Sequence, residues 1–85
     1  MVEKRPARIW WRKHRDGHNQ LIALALITEG PAGHFDIFLY APGPAGNRRI
    51  AEDAARGGAL DAQGRADGLV RRVLRHECEG CEDWV

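Results

Sequence analysis

The chain has 85 residues, with 13 Lys and Arg against 12 Asp and Glu and a formal net charge of +1, and it contains no serine. That length makes one small domain, 1–85, whose core alone leaves a thin stability margin. The near-neutral balance excludes a body that is, as a whole, an electrostatic ligand for nucleic acid, and the missing serine excludes every serine-nucleophile scheme.

No stretch has the length of a membrane span, and MVEKRPARIWW lacks the apolar segment and cleavage site of a secretory signal. A cytoplasmic protein with no membrane contact is therefore expected. Basic residues crowd one end, with residues 1–7 reading as a basic arm that Arg8, Arg12, Lys13 and Arg15 extend. Glu77, Glu79, Glu82 and Asp83 make 77–85 an acidic, cysteine-containing tail. Arginine far exceeds lysine, and Ala, Gly and Pro are plentiful. All four have GC-rich codons, so the excess points to a bacterial genome rather than to phosphate binding.

In chain order, Arg8 to Arg15 reads as a strand, and Asp16-Gly17 as the two-residue turn that closes a hairpin. Gln20 to Thr28 is apolar throughout Leu21–Ile27, which marks a strand needing cover on both faces. Gly30 to Gly33 offers a second reversal before a third strand over Phe35 to Tyr40. Pairing Trp11 with Ile22 and Leu26 with Ile37 gathers Ile9, Trp11, Ile22, Leu24, Leu26, Phe35, Ile37 and Leu39 on one face. Asn47 then caps a short helix over Arg48 to Arg56. Asp61 caps the main helix, Ala62 to about His76, with Ala62, Ala66, Leu69, Val70, Val73 and Leu74 in one stripe. Asp61–Arg65 and Asp67–Arg71 are spaced as i,i+4 ion pairs. The expected fold is α+β, a three-stranded antiparallel β-meander with one main C-terminal helix on the Ile9/Trp11/Leu24 face and a short preceding helix.

The opposite sheet face is then the candidate interface. It carries Arg8, Trp10, Arg12, Ala23, Ala25, Asp36, Phe38 and Tyr40, with His14, Ile27 and His34 beside them. One helix cannot cover two faces, and such a patch exceeds what monomers leave in water. Ile50, Ala54 and Trp84 could fold over it; a second copy could stack on it, the small alanines admitting aromatic rings; or single-stranded nucleic acid could stack on the aromatics. The leading reading is a non-enzymatic module that forms a homodimer or binds a protein partner, and single-stranded nucleic-acid binding is the alternative.

His76, Cys78 and Cys81 form H-x-C-x-x-C, a spacing that can clamp zinc. No second cysteine pair exists, so a fourth ligand would have to come from His14, His18, His34 or a carboxylate. The surrounding carboxylates raise thiol pKa values and disfavour a redox thiolate. Free thiols or a disulfide are therefore expected, with no metal and no cofactor. The loop Gly43–Asn47 before Arg48-Arg49 lacks the Lys-Ser/Thr of a P-loop and reads as a turn. Glu52 and Asp53 are adjacent and would diverge on a helix, so no catalytic pair emerges.

Overall fold

The computed structural model describes residues 8–76 and 81–85; the basic arm 1–7 and residues 77–80, Cys78 among them, lie outside the described residues. Strands β1 (Ile9–Arg15), β2 (Leu21–Glu29), β3 (Phe35–Gly43) and β4 (Gly46–Ala55) are followed by helix α1 (Ala59–Leu74). The strands form one four-stranded sheet in the order β1-β2-β3-β4, every neighbouring pair antiparallel. The α+β class, the antiparallel meander and the single helix after it agree with expectation. The three-stranded count and the short helix over Arg48 to Arg56 do not: that segment is β4, and among the described residues the only helical turn before α1 is the 3-10 turn Pro31–Gly33.

The β1–β2 connection is longer than a two-residue turn. The Asp16 carboxylate accepts the backbone N–H groups of His18 at 2.8 Å and Gln20 at 3.0 Å, and Asn19 takes a left-handed φ of 62°. A short polar side chain that bonds the backbone ahead of it stabilises this wider loop. Trp11 consequently faces Leu26 rather than Ile22. A four-residue shift is even, so each side chain keeps the face assigned to it relative to β2.

The β2–β3 connection shifts by one. Glu29 pairs with Phe35, not His34, after the 3-10 turn with Gly33 at φ 74°. An odd shift moves every β3 side chain to the other face. Phe35, Ile37 and Leu39 therefore share a face with Ala23, Ala25 and Ile27, and Phe38 and Tyr40 with Leu24 and Leu26. At the far end of β3, Gly43 pairs with Gly46 around Pro44 and Ala45, and Gly46 has the positive φ of 107° that glycine accommodates.

Helix α1 packs on the face with the alanines. Ala23, Ala25, Ile27, Phe35, Ile37, Leu39 and Ala55 form the core with Ala62, Ala66, Leu69 and Val70 of the helix. The helix thus covers the face opposite to the expected one. Most of the stripe is buried as anticipated, but Val73 is exposed, and Leu24 lies away from both Val70 and Val73. The helix starts after Gly58, φ 95°, rather than at an Asp61 cap, and ends where Arg75 turns left-handed at φ 51°. Of the expected ion pairs, Asp61–Arg65 forms at 3.3 Å, while Asp67 is taken by Arg12 of β1, 3.0 Å from each carboxylate oxygen.

Residues 81–85 run beside β1. Trp11 and Val85 exchange backbone hydrogen bonds of 3.3 and 3.0 Å, and the Glu82 carbonyl accepts the Arg12 Nε–H at 2.8 Å. Trp84 packs against the core. This occupies part of the outer edge of β1, where unpaired backbone groups would otherwise invite another chain.

Candidate binding face and candidate metal centre

The sheet face away from α1 is built in cross-strand rows by the observed registers. Trp11, Leu26, Phe38 and Glu52 form one row, and Lys13, Leu24, Tyr40 and Arg49 the next. Ile9, Thr28, Asp36 and Ala54 form a third. The two rows are apolar in the middle strands and end in Glu52 and Arg49 on β4, and in Trp11 and Lys13 on β1. Ile9 and Trp11 are 51% and 39% exposed. The Phe38 and Tyr40 rings lie 6.5 Å apart, and the Arg49 guanidinium sits 5.6 Å from the Phe38 centroid. Arg49 also reaches Glu52 at 3.8 Å, and His34 Nε2 lies 2.8 Å from Asp36.

The candidate interface read from sequence is therefore split. Asp36, Phe38 and Tyr40 are on the uncovered face. Ala23 and Ala25 are buried under α1, Ala25 to 1% exposure. Trp10 packs against Phe35 with ring centroids 5.8 Å apart, and Arg8 stacks on Trp10 at 5.1 Å. Arg12 is held by Asp67 and Glu82 on the helix side. The residues that sequence reasoning assigned to the core and that instead line the open face are Ile9, Trp11, Leu24 and Leu26. The available signal was the alternation in β2 itself, small Ala23 and Ala25 against large Leu24 and Leu26.

Glu52 pairs with Phe38 and Asp53 with Ile37, so the two carboxylates point to opposite faces of β4. Gly43–Asn47 is a hairpin turn rather than a helix start, which removes the anion site a helix N-terminus would offer.

A second cluster lies at the end of β1 on the helix side. His14 alternates with Trp10 and Arg12 and is fully buried. The turn at Arg75 brings His76 beside it, the two rings meeting edge to face at 5.7 Å. His76 Nε2 lies 3.1 Å from Cys81 Sγ, and that thiol also points to the Arg15 carbonyl at 3.8 Å. One donor atom from each of His14, His76 and Cys81 falls within 4.8 Å of the other two. Burial first, then the neighbouring Arg12 charge, lowers the His14 pKa to about 4, so its ring is neutral at pH 7. His18 and His34, weighed as further ligands from sequence, are not part of this cluster.

Among the described residues, no helix is long and apolar enough to cross a membrane. Comparison with protein-family models, with curated proteins and with solved structures found no match for this chain.

Proposed function

We propose that the protein is a non-enzymatic homodimerising module that uses the open sheet face, and that the occupant of that face is a second copy of the same chain. The observation that carries this reading is the pattern of the two central rows. A two-fold axis lying across the strands, between these rows, sets each row against the other row of the second copy. Leu26 then meets Leu24, Phe38 meets Tyr40, Glu52 meets Arg49, and Trp11 meets Lys13. Apolar side chains oppose apolar ones, the carboxylate opposes a guanidinium, and an ammonium opposes an indole face.

The size is suitable. Four strands ~4.8 Å apart and about seven residues long give a footprint of roughly 450 Å², before the relief of the side chains is counted. Stacked sheets lie ~10 Å apart, which the leucines and rings of two copies fill.

Sedimentation of the wild-type chain at micromolar concentration should give a dimer. Leu26→Arg places like charges at a face that meets its own copy, and it should sediment as a monomer with unchanged circular dichroism. A wild-type monomer overturns the proposal. Were that monomer to bind mixed single-stranded oligonucleotides with affinity falling steeply in salt, the face would belong to nucleic acid, with Trp11, Phe38 and Tyr40 stacking bases beside Lys13 and Arg49.

A further inference from the structure

By spacing alone, the H-x-C-x-x-C run leaves a tetrahedral metal site one donor short. The fold supplies a donor from a distant part of the chain. His14 is on the buried side of β1, and the left-handed Arg75 ends α1 so that His76 turns onto it. The pairing of Val85 with Trp11 sets residues 81–85 alongside β1, which delivers Cys81 to the same point. Three separate segments thus converge, and each brings a side chain able to bind a metal.

We propose that His14, His76 and Cys81 bind a zinc ion that ties β1, the chain leaving α1 and the 81–85 segment together. Imidazole nitrogen and thiolate sulfur are the donors zinc prefers. With Zn–S of ~2.3 Å and Zn–N of ~2.05 Å, a tetrahedral site sets its donors roughly 3.3–3.6 Å apart. The His76 to Cys81 separation of 3.1 Å is already near that value, and the whole set lies within 4.8 Å. A side-chain adjustment of about 1 Å or less on average closes it around an ion. On binding, the Cys81 thiol releases its proton to solvent and the sulfur ligates as thiolate. A thiol hydrogen-bonded to an imidazole would account for His76 and Cys81 alone; it gives no reason for a third donor on β1. Cys78 lies outside the described residues, and the proposal rests on the three that are described.

The role is structural. A chain of 85 residues gains from a staple between segments far apart in sequence, and here the ion joins residue 14 to residues 76 and 81.

The test uses the full-length, untagged chain purified without chelator. Elemental analysis should find about one zinc per chain. The apoprotein titrated with Co2+ should develop the visible bands of a tetrahedral ion together with thiolate-to-cobalt charge transfer. Loss of an outer partner alone costs 10- to 100-fold in metal affinity, so His76→Gln and Cys81→Ser should each weaken zinc roughly 100-fold or more. His14→Gln should do the same. Because His14 is buried, its folding is checked by circular dichroism, and the half-buried His76 and Cys81 keep the test decisive if it fails to fold. Absence of stoichiometric zinc and of the cobalt thiolate band overturns the site. A folded His14→Gln protein with wild-type zinc affinity also overturns it, since binding would then belong to the tail alone.

Discussion

Ala23 and Ala25 on β2 and Ala62 and Ala66 on α1 are all buried in one cluster, and side chains of a single methyl let the helix come close to the sheet. The larger Ile27, Ile37, Leu39 and Val70 fill the space around them. Ile37→Ala should therefore lower stability to urea by ~2–5 kcal/mol, the usual range for truncating a buried aliphatic side chain. Leu24→Ala, measured in the monomeric Leu26→Arg background, should cost less than about 1 kcal/mol, because Leu24 contributes cross-strand pairing on the open face rather than core. The opposite ranking would mean that α1 covers the Leu24 face of the sheet. Arg12 and Asp67 form the other informative pair at this scale. Asp67→Ala strands a guanidinium whose side chain is only 15% exposed, and it should cost about 1–2 kcal/mol by chemical denaturation.

Helix α1 carries Gly64 and Gly68, and a methyl group added at either would meet nothing within 4 Å. Glycine inside a helix costs ~0.5–1 kcal/mol relative to alanine. The double variant Gly64→Ala, Gly68→Ala should thus be more stable by roughly 1–2 kcal/mol, read as a higher midpoint in thermal or urea unfolding. Element identity was legible wherever periodicity was strong, in β1, β2, β3 and α1. It failed at β4, where Arg48, Arg49, Ala51, Glu52 and Ala54 are good helix formers. The hairpin at Gly43–Gly46 returns this segment to the open edge of β3, and the ladder it completes there outweighs local preference. The bulge between Leu39 and Tyr40 belongs to the same element, and it sets Arg49 across from Tyr40 on the open face.

At the scale of the whole molecule the proposed zinc and the proposed dimer lie on opposite sides of the sheet, so each should respond to its own perturbation. Zinc at about one hundred times its dissociation constant adds ~2.7 kcal/mol, which is roughly 10–20 °C in a domain of this size. A chelator should lower Tm by that order and leave the sedimenting species dimeric, while Leu26→Arg should abolish the dimer and leave one zinc per chain. Loss of both under either perturbation would mean that the two features are not separable. The sequence alone determined the α+β class, the meander through Leu39 and the apolar stripe of α1, because alternation, glycine-bearing turns and helical periodicity are local properties of the chain. It also determined that one helix leaves a sheet face uncovered, since a strand apolar on both sides meets only one helix. Which face, and with which tryptophan, was decided by the tertiary structure: a one-residue difference in where β3 begins reverses its facing, and burial against the helix selects that register. The meeting of His14 with His76 and Cys81 is likewise tertiary, because residues sixty and more positions apart acquire a distance only when the helix end and the 81–85 segment are packed against β1.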